Sequence, residues 1–600
     1  MLESSYKRMQ ERSAINWKIS AKAGEGVMSC AKLFAKACKR QGLSVFNYYE
    51  YPSLIKGGLQ SGQVHAALHK AHCQRRHLDL LIVFHEKFIK DHLQEIDHNS
   101  LILVNANAYD PSKYPELQAR VIAVNLTKIA RDQGANPLAT NVAALGFCAA
   151  LLEMDLQIMG RVVIEEFAKN KEAAKLNLLV LKAAFDAASK LIAEGQAPFL
   201  GKLLNSGLDE QLLLSGNEAI GLGALAAGIQ FYSAYPMTPA TGVLHFLAEQ
   251  QKHYPIVVKH AEDEIAAINH ALGAAFAGVR AMTGSSGGGF ALMVESLSFA
   301  GVAEIPLVVL EGVRQGPATG LPTWTSQGDL NFVLGAGHGD FLRVILTPGD
   351  MSEHFTLAKL AVELAEKYQL PVIIMSDKFM LESQQSMPRF DMTNQNKRLS
   401  MVNDGQLGDN DLVEGEYLRY KVTEDGISPR AIPGQSKAWQ LTNSYEHDQY
   451  GFATEEAFET KRAVDKRAAK LNSLIQELPK PIYEGSVAPK RILLSFGSTI
   501  NITRDLLLDE ELAAETALIH LPCVYPFPSV ELENLLADKQ AEIFVLEGDS
   551  TGQLAALIKR ETNLSKLKSI LRYDGRPFYS EDLSEFLRGK KLHEQYRLVE

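Results

Sequence analysis

Four short segments in the middle of this 600-residue chain carry side chains that could do chemistry together. Tyr235-Pro236-Met237-Thr238-Pro239 sets a hydroxyl between two prolines, whose fixed φ holds the backbone, and with it the Thr238 oxygen, in place. Glu262-Asp263-Glu264 leads into Ile265-Ala266-Ala267-Ile268, and acids at a helix start suit the helix dipole whatever else they do. Glu264 differs from its neighbours because it directly precedes a small and apolar run ending at Gly273-Ala274. A carboxyl facing such a surface loses solvation and keeps its proton, which suits a general acid. Ser285-Ser286-Gly287-Gly288-Gly289-Phe290 is a glycine-rich turn into a helix, where backbone can approach a ligand closely. Arg314-Gln315-Gly316-Pro317-Ala318-Thr319-Gly320-Leu321-Pro322-Thr323 leaves a strand on a loop, and a guanidinium there can grip a carboxylate with two parallel bonds.

Such groups need a frame that brings several strand ends to one place. Between about 210 and 380 the β-branched runs Ile256-Val257-Val258, Pro306 to Leu310 and Val372 to Met375 alternate with helical stretches near 264 to 277 and 353 to 368. That alternation is the pattern of parallel α/β units, which bind ligands at the carboxyl ends of their strands. A first segment, about 15 to 190, repeats the pattern with strands expected at Ile15 to Ser20, Leu80 to Phe84, Leu101 to Asn105 and Val121 to Asn125, and helices in the gaps. A third, from about 487, has Ile492 to Gly497, Ile543 to Leu546 and a helix from about Gln553. Between the second and third lies a polar stretch with Asn394, Gln395, Asn396, Asn403, Gln406 and Asn410, too long for a structureless connection and expected as an ordered excursion. In the first segment Gly24-Glu25-Gly26 and Lys56-Gly57-Gly58 form two turns whose amides and one cation could hold an anionic ligand. Two glycines in an α/β turn also have a purely steric explanation, and the third glycine of the dinucleotide fingerprint is missing.

Composition narrows the classes. Hydrophobic residues at 46% and charged residues at 22% describe a folded globular chain. With 61 Lys and Arg against 71 Asp and Glu, the net charge of −10 offers no basic face, so nucleic acid is not expected as a ligand. The five cysteines, Cys30, Cys38, Cys73, Cys148 and Cys523, form neither a disulfide framework nor a cluster motif. The polar amino terminus and the lack of a long apolar run point to a cytoplasmic chain without membrane insertion.

Taken together, Tyr235 to Pro239, Glu262-Asp-Glu264, Gly316-Pro-Ala-Thr-Gly-Leu-Pro-Thr323, Gln327-Gly-Asp329 and His338-Gly-Asp340 resemble the alpha subunit of 2-oxoacid:ferredoxin oxidoreductases. Residues about 15 to 190 look like the gamma domain of those enzymes fused in front. Thr551-Gly-Gln553 and Tyr573-Asp-Gly-Arg-Pro-Phe578 look like the alpha carboxy-terminal domain. The likeness also takes in Thr423 to Arg430 and Glu446-His-Asp448. It implies an α/β protein of three parallel-sheet domains with an ordered excursion. These are a gamma domain (1–195), a thiamine pyrophosphate pyrimidine-binding domain (196–380), the polar excursion (381–486) and a transketolase carboxy-terminal-like domain (487–600).

The resemblance further implies CoA-dependent oxidative decarboxylation of a 2-oxoacid, with electrons passed to ferredoxin or flavodoxin. Glu264 matches the glutamate that bonds the cofactor's aminopyrimidine ring, standing nine positions before Gly273-Ala274 as that glutamate does. By similarity Thr238 sits by the reacting carbonyl. Arg314 and Thr323, with Tyr235 and Pro236, recognise the 2-oxoacid. Ser286, Gly287 and Gly288 line the cofactor, and Gly24, Gly26, Lys56, Gly57 and Gly58 belong to a coenzyme A or anion site. No Gly-Asp-Gly followed at the right distance by Asn, the diphosphate and magnesium signature, occurs in the sequence. A beta subunit is therefore expected to supply the diphosphate pocket, Mg2+ and a 4Fe–4S cluster, in a dimer of heterodimers. The fused arrangement favours 2-oxoglutarate, then pyruvate. Met237, Gln315, Ala318, Lys56 and Ser286-Gly-Gly288 depart mildly from the family pattern. The alternatives are a binding or scaffold subunit without catalysis, and a non-oxidative thiamine-dependent decarboxylase.

Overall fold

The structure is a computed structural model that describes residues 11–53, 58–204, 206, 211–390, 407–537 and 539–599. It divides into two units, one of residues 1–214 with 383–389 and 579–581, the other of 215–382, 390–578 and 582–600.

The first unit is built on an eight-stranded sheet. One half is parallel, with Ala14–Lys22, Leu80–Val83, Leu101–Asn105 and Arg120–Val124 side by side. The other half is antiparallel: Ala14–Lys22 pairs with Leu59–Ala67, which pairs with Ser44–Glu50, which pairs with Gln384–Pro388. The gap expected to be helical thus holds the helix Val27–Arg40 and two further strands. Their alternation is hidden because both faces are buried and the buried polar residues find specific partners. Asn47 donates to Gln384 Oε1 at 3.0 Å, and a His65 ring nitrogen lies 3.0 Å from the Cys73 carbonyl. In the same way Lys18, buried in the first strand, reaches Glu95 at 2.7 Å, and Glu95 lies 2.7 Å from His92. Behind the sheet the helix Thr140–Leu151 is buried at every residue, so it reads as apolar all round. Gly146 lets it lie directly on the Leu181 backbone of Lys171–Ala193.

The second unit holds two sheets around a shared core that runs from Ile268 and Leu297 to Ile492 and Val545. Seven strands lie in the order Val257–His260, Phe231–Ala234, Ala281–Ser285, Leu307–Val313, Pro371–Asp377, Val344–Leu346 and Cys523–Tyr525, all parallel but the last. Their register places Ala234 beside His260, Ser285 beside Glu311 and Val313 beside Asp377, which aligns the strand ends. The second sheet carries four parallel strands, Thr516–Leu521, Arg491–Phe496, Glu542–Glu547 and Lys568–Leu571, edged by the antiparallel Ile482–Gly485 and Arg597–Val599. Within the polar stretch, Ala457–Glu477 is a 21-residue helix. Its Lys466 and Lys470 each reach the buried Glu304 carboxylate at 2.6 Å. Asn394, Gln395, Asn396, Asn403 and Gln406 lie outside the described residues. Among the described residues no helix is long and apolar enough to cross a membrane.

Candidate active site

The strand ends of the seven-stranded sheet gather most of the residues singled out in the sequence. Glu264 is the first residue of the helix Glu264–Phe276, whose N-terminal amides are capped by Asp263 accepting from the Ala266 N–H at 2.7 Å. The cap frees Glu264 from that duty. Its carboxyl is buried, and Oε1 has no hydrogen-bond partner among the described residues. It lies against the glycine turn, where a Cβ on Gly289 would stand 2.6 Å from Glu264 Oε1 and crowd Ser285 Oγ. Only a glycine there leaves the carboxyl its place. Glu262 is not so placed: it is exposed in the bend before the cap.

The turn Tyr235 to Pro239 follows the strand Phe231–Ala234 and is fixed from two sides. Ser285 Oγ lies 3.8 Å from Met237 Sδ, and Arg314 Nη1 donates to the Thr238 carbonyl at 2.9 Å. Gly312 brings the strand Leu307–Val313 against Pro239, whose ring a Cβ would meet at 3.2 Å. Tyr235 is 39% exposed with its ring 6.3 Å from that of His260, so it borders the site from the solvent side, with Pro236 half-buried behind it. Arg314 leaves the strand Leu307–Val313. Burial pulls its guanidinium below the ordinary arginine range while Glu311 and Asp329 pull it back up. The loop that follows closes on itself through the Gln315 N–H to Trp324 carbonyl bond at 3.1 Å and a bridge between Gln315 and Leu321. Thr323 is thereby buried at the loop base, its hydroxyl without a partner among the described residues. Beyond it Gln327 donates to the Phe496 carbonyl at 2.9 Å and accepts from the Gly548 N–H at 2.8 Å, which pins the segment to the second sheet.

Ser286 is fully buried, and its hydroxyl also lacks a partner among the described residues. Gly287 to Gly289 open the short helix Gly287–Ala291, and a Cβ on Gly288 would meet nothing within 4 Å. Glu264 Oε1 at a helix start, Ser286 Oγ after a strand end and Thr323 Oγ1 at the base of the arginine loop are therefore three buried polar atoms without partners among the described residues. Buried polar groups are rarely left so without a reason. They fit a polar heterocycle and a carboxylate-bearing substrate, each of which offers hydrogen-bonding atoms for such groups.

Three residues escaped the sequence reading. Gly289 lies within a glycine-rich turn, Asp329 within a longer motif and Glu311 inside an apolar strand, so none of the three is marked by a motif of its own. Glu311 did leave a signal, an acid interrupting the apolar run that begins at Pro306.

The remaining candidates lie in the first unit. Gly24 and Gly26 have φ of +93° and +80°, and the helix Val27–Arg40 begins after Gly26. A Cβ on Gly26 would stand 2.5 Å from Asn141 Nδ2, so the steric reason for that glycine holds. Gly58 lies beside the first turn, since the Ala23 N–H reaches the Gly58 carbonyl at 3.4 Å. Glu25 sits in the first turn, accepting from the Lys22 N–H at 2.9 Å and lying 2.8 Å from the His85 ring. Lys56 and Gly57 fall outside the described residues.

Residues 222–466 match the model of the thiamine diphosphate-binding domain of pyruvate flavodoxin/ferredoxin oxidoreductases, and residues 16–187 match that of pyruvate ferredoxin/flavodoxin oxidoreductases. The chain is 31% identical to a 2-oxoacid:ferredoxin oxidoreductase subunit alpha of a Sulfolobus species, over 96% of each chain. It is 28% identical to a 2-oxoglutarate synthase subunit of Archaeoglobus fulgidus, over 64% of this chain and 99% of that one. Among solved structures it is similar to the 2-oxoglutarate:ferredoxin oxidoreductase of Magnetococcus marinus with 2-oxoglutarate, coenzyme A and succinyl-CoA bound. The TM-score is 0.85 at 30% identity, over 96% of this chain and 99% of that one.

Proposed function

Because the chain belongs to the family of 2-oxoacid:ferredoxin oxidoreductase alpha subunits, we propose that it catalyses CoA-dependent oxidative decarboxylation of a 2-oxoacid, with 2-oxoglutarate favoured over pyruvate. In the balanced reaction one 2-oxoacid, one CoA and two oxidised ferredoxins give acyl-CoA, CO2, one proton and two reduced ferredoxins. The observation that carries the reading is the buried Glu264 carboxyl with an unpartnered oxygen beside a glycine cradle. Thiamine diphosphate, when bound, supplies the carbon centre that holds the electron pair left by decarboxylation. Glu264 is the group that holds a proton at the aminopyrimidine ring nitrogen, with Ser286, Gly287 and Gly288 allowing the ring to approach. Arg314 takes the substrate carboxylate. Thr238, tied to Arg314 through its carbonyl, presents its hydroxyl to the reacting keto group, and Thr323, Tyr235 and Pro236 close the substrate side.

The chain provides half of such a site. Exposed apolar residues border it: Ile265 beside Glu264, Leu292 after the glycine helix, and Phe332, edge-on to Phe290 at 5.4 Å. They fit a beta subunit that brings the diphosphate pocket, Mg2+ and a 4Fe–4S cluster, in a dimer of heterodimers that delivers electrons to ferredoxin or flavodoxin. The five cysteines of this chain are buried free thiols. The Gly24, Gly26 and Gly58 turns, with Lys56 and Gly57, remain the proposed coenzyme A or anion site of the fused gamma domain.

Two substitutions test the assignment in the assembled complex. Arg314→Leu removes a charge-assisted anchor, and the KM for 2-oxoglutarate is expected to rise roughly 10- to 100-fold with a smaller change in kcat. An unchanged KM contradicts the anchor role. Gly289→Ala pushes a methyl group into the Glu264 carboxyl, and a displacement of this size is expected to lower kcat by about 10²-fold. Gly273→Ala, where a Cβ meets nothing within 4 Å, serves as the control in the same helix as Glu264.

A further inference from the structure

One charged residue at these strand ends has no part in the reaction as assigned above. Glu311 is fully buried in the strand Leu307–Val313, and neither carboxyl oxygen has a hydrogen-bond partner among the described residues. Folding alone gives no return for an acid desolvated in this way. Its neighbours across the sheet are Ser285 and Met375, and registered residues of parallel strands share a sheet face. Ser285 Oγ and Glu264 Oε1 both lie against the place a Gly289 Cβ would take, so Glu311 stands one strand from the Glu264 carboxyl.

The charged groups that act on Glu311 are Asp329, which precedes the helix Leu330–Leu334, and Arg314, three residues further along its own chain. Asp377, from the strand on the other side, is already engaged by Thr325 Oγ1 at 3.4 Å and by the Met380 N–H at 3.2 Å. Arg314 makes no ion pair among the described residues, and its bond goes to the Thr238 carbonyl.

We propose that Glu311 is a positioning residue for the 2-oxoacid carboxylate, acting from within the sheet on Arg314 to decide whether the guanidinium charge is available to substrate. This rests on the reading of Arg314 as the carboxylate anchor. Burial first, and then Asp329, push the Glu311 carboxyl well above the usual range, against the pull of Arg314. Neutral, it satisfies the geometry without spending the arginine's charge. Ionised, it places a negative charge near Arg314 in a region of low dielectric, where it compensates the guanidinium and repels an incoming carboxylate. A raised acid is neutral at neutral pH and becomes an anion only as pH rises through its raised value. Substrate affinity therefore falls on the alkaline side and not on the acid side.

The test measures kcat and KM for 2-oxoglutarate with the assembled holoenzyme from about pH 6 to about pH 9.5. In the wild-type enzyme KM rises about tenfold or more along the alkaline limb. In Glu311→Gln, which keeps the shape and neutrality of the protonated acid, the KM profile stays flat. Asp329→Asn removes the charge that opposes ionisation of Glu311, so its alkaline rise in KM begins at lower pH than in the wild type. An alkaline KM rise that persists in Glu311→Gln overturns the proposal. So does a variant in which kcat, and not KM, loses its pH dependence. If Glu311→Gln does not assemble, an Asp329→Asn limb that does not move overturns it equally. A wild-type complex that turns over no 2-oxoacid removes the reading of the site and this proposal with it. A wild-type complex that does turn over, with Glu311→Gln superimposed on it, removes the proposal alone.

Discussion

Glu264→Gln in the assembled complex is expected to lower kcat by about 10²- to 10⁴-fold, the range that a positioned proton-transfer group supplies. Glutamine fills nearly the same volume, so the helix Glu264–Phe276 and its Asp263 cap should form as before. What changes is the proton. The carboxyl oxygen that lacks a partner within the chain can hold a proton between itself and a ring nitrogen, whereas an amide cannot take part in that exchange. The loss should appear in kcat and kcat/KM together, because the interaction matters in the transition state more than in substrate binding. Turnover retained at wild-type level, in a complex that assembles normally, contradicts the role. The larger loss expected here than for Gly289→Ala follows from the same geometry, since the alanine displaces the carboxyl and the glutamine removes its chemistry.

Replacing Glu304 should destabilise the second unit by about 3–5 kcal/mol, the cost of leaving buried charges without their partner. Glu304 is 1% exposed and takes a left-handed backbone conformation, with φ of +50°, in the turn that ends the helix Val294–Val302. Lys466 and Lys470 reach its two oxygens at 2.6 Å, and Arg419 donates to its backbone carbonyl at 2.8 Å. Lys466 and Lys470 with Arg419 hold the Glu304 carboxyl far below the usual carboxylate range, outweighing burial. Burial draws the Lys466 ammonium down to about 8. Glu304→Gln leaves two ammonium groups in a dry site with no counter-charge, which should appear as a lower midpoint in urea unfolding. The pH dependence has a definite sign. An acid whose folded value is depressed contributes fully above its ordinary value of 4.5 and loses that contribution as pH falls toward the depressed value. The gap between wild type and Glu304→Gln should therefore narrow as the medium is acidified. Equal midpoints at neutral pH would show that this cluster does not hold the excursion helix in place.

Much of this arrangement is legible in the sequence, and the parts that are not share a cause. Val372 to Met375 and Ile492 to Phe496 read as strands because they are apolar runs bounded by turns, and the structure has Pro371–Asp377 and Arg491–Phe496. Thr238, Glu264 and Arg314 stand out because prolines, a helix start and a loop mark them locally. Ser44–Glu50 and Leu59–Ala67 are hidden because Asn47, Gln63 and His65 interrupt the apolar pattern, and their partners cannot be read from local sequence. Gln384 is 337 residues from Asn47. Glu311 is hidden for the opposite reason. It lies inside an apolar strand, and only the fold reveals that its carboxyl is buried without a partner one strand from Glu264. The crowding of Gly289 and Ser285 against the Glu264 carboxyl is likewise a property of how strand, turn and helix pack, which local periodicity does not carry.

The central claim is that this chain holds the acid and substrate half of a 2-oxoacid oxidoreductase site that a second subunit completes. The most direct measurement purifies the chain anaerobically, alone and from its native cell with whatever partner co-purifies, and assays viologen reduction with 2-oxoglutarate and with pyruvate, with and without CoA. The account predicts no turnover by the chain alone. It predicts CoA-dependent reduction by the iron-bearing complex, faster with 2-oxoglutarate. A complex that decarboxylates without reducing the dye, or that binds ligand without turnover of any 2-oxoacid, would contradict it.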